Sequence, residues 1–173
     1  NTFYPTISGV AQSFNYYPVS HMKRNQGVAF IALGLGRTIA DGERCLRFSP
    51  THPTILPQFY SIESTIENTQ NYFYALELKN GKNPMAGGLT NNLRQFDLSV
   101  AEDHGELEWI ASTVSLENNI IRDSLSYKGP RVLTFSPLLK WSELPICDIL
   151  NELLKIGRSA LGCAVELEFA LNI

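Results

Sequence analysis

The chain has no excess of basic charge and no long apolar run. Lys and Arg number 14 against 17 Asp and Glu among its 173 residues, and no basic stripe offers a surface to nucleic acid. No apolar run approaches the ~20 residues of a membrane-spanning helix. The composition therefore predicts a protein that binds neither nucleic acid nor a membrane.

Patterns typical of cysteine, histidine or serine chemistry are also missing. The cysteines lack Cys-x-x-Cys spacing and lie in apolar surroundings, which predicts reduced core thiols in a cytoplasmic protein: Cys45, Cys147 and Cys163. The histidines are far apart in the sequence and show no metal-ligand spacing: His21, His52 and His104. No serine lies in a Gly-x-Ser-x-Gly elbow. We therefore expect no catalytic residue of these types.

The sequence does have the composition and periodicity of one globular domain, which we expect to span residues 1–173. Hydrophobic residues make up 44% and charged residues 18%. Apolar patterning predicts strands over 6–14, 27–35, 43–48, 72–79, 95–100, 120–127, 131–135 and 164–171. The segment 107–114 fits a strand or a helix. Asn80-Gly81 is typical of a hairpin turn, and 82–92 is the most flexible-looking stretch.

Two helices are predicted among these strands. Residues 62–70 form a short helix with Ser61 as its N-cap. Residues 145–161 carry a wide apolar stripe, with Pro145 in the first turn and Gly162 as the stop. The expected fold is α+β, a mostly antiparallel sheet with packed helices.

A glycine-rich run follows the second predicted strand. Gly34, Gly36 and Gly42 permit tight turns and close backbone approach, and such turns after strands commonly present N–H groups to phosphates. The run has neither the third glycine of a dinucleotide fingerprint nor a Gly-Lys-Ser/Thr sequence, so a plain turn between two core segments is the alternative. Arg37 would lie over a polyphosphate or pair with Asp41 or Glu43.

The terminal run Ala164–Leu171 alternates strictly. At a period of two, Glu166 and Glu168 share one face of a strand and lie roughly 6.5–7 Å apart at Cα. Carboxylates at this spacing can reach one divalent cation, and Mg²⁺ prefers such oxygen ligands. The alternative is an amphipathic strand whose solvent face carries two acids, although like charges so close repel one another.

Three segments together resemble the nucleotide-binding domain of phosphoenolpyruvate synthases and pyruvate phosphate dikinases: a first strand, which is either Ser8-Gly9-Val10 or Gly27-Val28-Ala29-Phe30, then the 34–42 loop, then the Glu166-Leu167-Glu168-Phe169 strand. The resemblance implies an ATP-grasp fold, the cofactors ATP and Mg²⁺, and a phosphorylated His on another domain, so no catalytic residue is expected here. It assigns metal binding to Glu166 and Glu168. The cofactor-binding residues are then Gly34, Gly36, Arg37, Gly42, Glu166 and Glu168. Family members have Glu where this chain has Arg37, so the role of that position does not transfer.

The resemblance also implies the activity. We expect the C-terminal part of an ATP-grasp domain, a fragment of a larger enzyme that makes phosphoenolpyruvate from ATP and pyruvate. The fragment alone would be inactive, and its partners would be ATP and the remaining domains of the parent enzyme. Alternatives are a related dikinase with another phosphoryl acceptor, and a decayed, non-catalytic nucleotide-binding or regulatory module.

Overall fold

A computed structural model describes residues 2–78 and 92–173. Within these ranges the chain forms ten strands: β1 (Thr2–Phe3), β2 (Ile7–Gln12), β3 (Val28–Ala32), β4 (Leu46–Phe48), β5 (Tyr72–Glu77), β6 (Leu93–Asp97), β7 (Ala111–Ser115), β8 (Ile120–Arg122), β9 (Arg131–Leu133) and β10 (Glu166–Leu171). The same ranges hold five α-helices: α1 (Arg37–Ala40), α2 (Ile62–Asn68), α3 (Leu98–Asp103), α4 (Ser136–Leu139) and α5 (Ile146–Leu161). None of these helices has the length and apolarity to cross a membrane.

All strand pairs between these elements are antiparallel, but they form three small sheets rather than one. The sheet orders are β10-β2-β3-β4, β1-β5-β6 and β8-β7-β9. The predicted α+β class is confirmed, and so are the predicted strands that correspond to β2, β3 and β4. The expected single sheet is wrong. The Asn80-Gly81 turn and nearly all of 82–92 lie outside the described residues.

Helix α5 has the predicted boundaries, because its start and stop are local signals. Pro145 precedes the first turn, and Gly162 ends the helix at φ 68°, a left-handed conformation that glycine adopts without strain. Only one side of its apolar stripe is buried, through Ile146, Leu150 and Leu154. The remaining stripe residues stay about half exposed: Ile149 at 52%, Leu153 at 46% and Ile156 at 55%.

Several other predicted elements end earlier than expected, among them the helix predicted over 62–70, which ends at Asn68. Helix α2 is confirmed, with the Ser61 side chain accepting a hydrogen bond from the Ser64 N–H. The strand predicted over 95–100 stops at Asp97, whose carboxylate accepts from the Ser99 N–H and thereby caps α3. The strand predicted over 120–127 covers only β8, because the Asp123 side chain turns toward β7 and α4.

Residues from all three sheets and from α5 form a single hydrophobic cluster. Strand β10 joins it through the apolar face predicted by alternation, while Glu166 and Glu168 are exposed on the other face. Phe169 lies over Gly9, its partner on β2. Helix α5 packs on the core side, and both glutamates face away from the core on the strand face that they were predicted to share.

Candidate functional site

The register of β10 against β2 determines what surrounds the two glutamates. Glu166 pairs with Gln12, Glu168 with Val10, and Ala170 with Ser8. Because partners across an antiparallel pair share a face, Ser8 and Val10 lie on the same face as the glutamates. Gln12 confirms this, since its Nε2 donates to the Glu166 carboxylate at 2.5 Å.

The glycine-rich loop covers one end of this face. An open groove of about 610 Å³ runs between β10, β2 and α1, and its lining includes Ser8, Val10, Gly36, Ile39, Glu166 and Glu168. Its volume lies in the roughly 300–1,000 Å³ range of small-ligand sites. Two motifs at opposite ends of the sequence therefore form the two walls of one groove.

Gly34 fixes the loop in this position. It has φ 84°, and a Cβ there would lie 2.6 Å from the Tyr74 carbonyl oxygen, so only glycine fits without a shift. The next residue, Leu35, donates its N–H to the same carbonyl at 2.8 Å. The loop is thus held against β5. In this position a Cβ atom added to Gly36 would lie 4.0 Å from Ser8 Oγ.

Three predicted ligand-binding residues do not line the groove. Gly34 faces β5, and Gly42 follows α1 with φ 69° and open space around it. Arg37 Nε donates to Asp41 Oδ2 at 2.8 Å, and its guanidinium carbon lies 5.1 Å from the centre of the Tyr74 ring. Of the interactions the sequence left open for Arg37, the ion pair with Asp41 is therefore the one that the structure forms.

The groove is acidic and holds an unsatisfied hydroxyl group. Within the described ranges neither Glu166 nor Glu168 forms an ion pair. Ser8 is only 5% exposed, and its buried Oγ has no hydrogen-bond partner among the residues that the structure describes. A buried hydroxyl group without a partner costs about 1–3 kcal/mol, so this atom is a candidate ligand contact.

The glutamates provide two carboxylates, and the described residues contain no cluster of three or more His, Cys, Asp or Glu that could hold a metal. An ion bound here would complete its coordination with water or with ligand oxygens. Mg²⁺ is usually held in this way, by one or two carboxylates together with substrate phosphates. The arrangement fits Mg²⁺ that arrives with a phosphorylated ligand.

The alternation of the terminal run was sufficient to predict the two carboxylates. Ser8 and Gln12 were not predicted as site residues. Ser8 was noted only as part of a Ser-Gly-Val strand, and its place beside the glutamates depends on strand pairing. The alternation of β2 shows which residues share a face with Ser8, but not which strand lies beside them.

A second cavity, of about 620 Å³, lies beside the C-terminal half of α5 and contains none of the predicted site residues. Its lining includes Lys155 and Arg158. Arg158 lies in the last turn of α5, where it stabilises the negative end of the helix dipole, and Lys155 forms an ion pair with Glu152 at 3.6 Å, so both cations have a structural explanation. We therefore place the candidate site in the groove between β10, β2 and α1.

None of the three cysteines lines the groove. Burial raises the pKa of Cys45, and burial together with the charge of Asp148 raises the pKa of Cys147 to about 11. Both are therefore thiols rather than thiolates at neutral pH. Cys163 is exposed, so the prediction that all three are core thiols is wrong for this residue.

Two of the histidines lie close together in the structure. The rings of His21 and His52 have centroids 5.0 Å apart, although the residues are far apart in sequence. His104 lies elsewhere, with Nδ1 2.7 Å from the hydroxyl oxygen of Tyr4. The loops 18–22 and 49–53 bring the first two together through tertiary structure, which residue spacing does not reveal.

Comparison with known protein families, curated proteins and solved structures finds no match to this chain.

Proposed function

We propose that the groove binds Mg-ATP and that the chain is the ATP-binding part of a phosphoenolpyruvate synthase-like phosphotransferase. The observation that supports this proposal most directly is that Gly36, Glu166 and Glu168 line the same groove. These residues were assigned to one nucleotide site from sequence motifs alone. Their proximity is what the proposal requires.

The charge of the groove explains why the ligand would bring a cation. Glu166 and Glu168 occupy neighbouring positions on one strand face, where like charges destabilise each other. Mg²⁺ between these carboxylates and the phosphates would remove that repulsion and would neutralise the ligand. The Ser8 hydroxyl, now without a partner, would donate to a phosphate oxygen. Val10 and Ile39 would supply apolar wall.

The proposed contribution to catalysis is positioning and charge neutralisation. Phosphoryl transfer needs the transferring oxygens aligned and their charge stabilised, and it needs no nucleophile from this part of the enzyme. A His on another domain of the parent enzyme would accept the phosphoryl group and pass it to pyruvate. The remaining domains are therefore the proposed partners of this chain, in the cytoplasm.

Glu168→Gln tests the proposal because it retains side-chain size and removes one negative charge. In the intact parent enzyme, the rate of enzyme phosphorylation from labelled ATP at saturating Mg²⁺ should fall by roughly 10²-fold or more, the scale seen when one strong electrostatic partner is lost. Thermal melting should barely change, because an exposed strand carboxylate contributes little to stability. Glu166→Gln should act in the same direction.

Glu108→Gln is the matched control, since Glu108 is also exposed and lies outside the groove. Glu106 is less suitable, because its carboxylate accepts a hydrogen bond from Thr6. A near-wild-type phosphorylation rate for Glu168→Gln would reject the metal role. The chain would then be better described as a non-catalytic binding or regulatory module.

A titration of the 173-residue chain itself separates binding from turnover. With Mg²⁺ and a non-hydrolysable ATP analogue, amide resonances of residues 8–10, 35–40 and 166–170 should shift together. Phosphoenolpyruvate formation from ATP and pyruvate by the purified chain alone would contradict the expectation that other domains are needed. A related dikinase with another acceptor would show the same titration without using pyruvate.

A further inference from the structure

Two histidine rings lie close together between the loops 18–22 and 49–53, neither of which contributes to the lining of the groove. Their centroids are 5.0 Å apart, and their planes are inclined by 79°. A tetrahedral Zn²⁺ bound at about 2.0–2.1 Å to two imidazole nitrogens also separates the ring centroids by about 5 Å. The inclination is compatible with such an ion, because each ring can rotate about its bond to the metal.

One nitrogen of this pair has no hydrogen-bond partner in the described part of the chain. His52 Nε2 is buried and forms no hydrogen bond with the described residues. Native proteins satisfy the great majority of buried polar side-chain atoms, so an orphan nitrogen calls for an explanation. Binding a cation would satisfy its lone pair.

The other ring is oriented by its neighbour. His21 Nδ1 lies 3.3 Å from Ser20 Oγ, which leaves Nε2 available. A hydrogen bond at the second ring nitrogen is the usual way in which proteins orient a metal-binding histidine. His21 is exposed, so its ring can adjust as an ion enters.

The loop that carries His52 is held in place by its backbone. The His52 N–H donates to the Ser49 carbonyl at 2.9 Å, and the Ile55 N–H donates to the His52 carbonyl at 3.2 Å. Ser49 and His52 also form an isolated antiparallel bridge. One ligand of the pair is thus fixed before any ion binds.

We propose that His21 and His52 bind one divalent transition-metal ion, of which Zn²⁺ is the probe, through Nε2 of each ring. Imidazole nitrogen suits Zn²⁺, Ni²⁺ and Cu²⁺, whereas Mg²⁺ prefers oxygen. No third His, Cys, Asp or Glu joins the pair within the described residues, so water completes the coordination. The site is independent of the proposed Mg-ATP groove.

The test is calorimetric titration of the untagged chain with Zn²⁺, followed in parallel by the imidazole NMR resonances. All proteins carry Cys163→Ser, because that exposed thiol would itself bind zinc. We expect one equivalent of Zn²⁺ to bind and to shift the ring signals of His21 and His52 but not those of His104. Mg²⁺ should leave all three unchanged.

Two single variants decide the assignment. His21→Ala and His52→Ala should each weaken Zn²⁺ binding by more than the ~10–100-fold that loss of an outer-shell partner costs. His104→Gln is the control and should bind as the parent does. Because His21 is exposed, His21→Ala tests the proposal even if His52→Ala is unstable. Absence of Zn²⁺ binding, or binding that His21→Ala leaves undiminished, would overturn it.

Discussion

The contact between Gly9 and Phe169 predicts how strongly β10 is held against β2. A Cβ at Gly9 would lie 2.2, 2.5 and 2.8 Å from three atoms of the Phe169 ring, all shorter than an ordinary contact. Gly9→Ala must therefore displace the ring, and with it part of the strand that carries Glu166 and Glu168.

Two opposing effects determine how much Gly9→Ala changes the free energy of unfolding. Overpacking of this kind costs typically 1–3 kcal/mol, while alanine in a strand regains roughly 0.5–1 kcal/mol of the backbone entropy that glycine loses on folding. We expect Gly9→Ala to lower the free energy of unfolding by about 1–2 kcal/mol. Urea denaturation followed by tryptophan fluorescence and by far-UV circular dichroism would measure it.

Combining Gly9→Ala with Phe169→Leu tests whether the clash with the ring causes the loss of stability. Phe169→Leu removes the atoms that the new methyl group would strike, so Gly9→Ala should cost less in that background than in the parent. The two changes should be non-additive by roughly 0.5–3 kcal/mol, the range for residues in direct contact. Additive effects would mean that the ring does not cover Gly9, and the packing of β10 described above would be refuted.

Gly36→Ala is the matched control for the same substitution elsewhere on the groove. A Cβ at Gly36 would come no closer than 4.0 Å to Ser8, and the residue has φ −59°. Stability should therefore change by less than about 1 kcal/mol, the cost of alanine at a helix N-cap. A larger loss would show that the loop is packed more tightly than the structure indicates.

Three further outcomes are expected. Ser8→Ala removes a buried hydroxyl group without a partner, so calorimetric melting should show equal or higher stability while binding of the Mg-ATP analogue weakens. Burial raises the pKa of Asp123, but hydrogen bonds from Lys140, Ser112 and Ser136 outweigh this effect and hold the pKa below its ordinary value. Lys140→Met should therefore lower stability at pH 7. Below about pH 3.9, where Asp123 becomes protonated, the urea midpoints of the variant and of the parent should converge. Leu150→Ala, at a position 2% exposed, should cost about 2–5 kcal/mol in urea denaturation, and the half-exposed Ile149→Ala much less.

Elements whose signals are local in sequence were predictable. Helix α5 has its apolar period, its proline and its glycine within one continuous segment, and β10 shows its two faces by alternation. The apolar pattern predicted a wider buried face of α5 than the structure has, because it does not show that Ile149 and Ile156 face away from the core. Periodicity identifies an apolar side of a helix but not how much of it finds a partner.

Elements that depend on distant partners were not predictable. Strand β8 ends where Asp123 contacts Ser112, Lys140 and Trp141, which come from other parts of the chain. Helix α3 begins at Leu98 because Asp97 caps it, although apolar alternation favoured continuing the strand. Side-chain hydrogen bonds therefore ended two strands that the apolar pattern would have extended.

The groove depends on the strand register, and contacts on both sides of the glutamates fix that register. Ser13 is 3% exposed; its N–H donates to the Val165 carbonyl at 2.9 Å, and its Oγ accepts from the Val165 N–H at 2.9 Å. On the other side of the glutamates, the contact between the Phe169 ring and Gly9 fixes the register. A slip of one residue would turn Glu166 and Glu168 into the apolar core and expose the opposite face. The buried contacts of Ser13 and Gly9 thus keep both carboxylates in the groove.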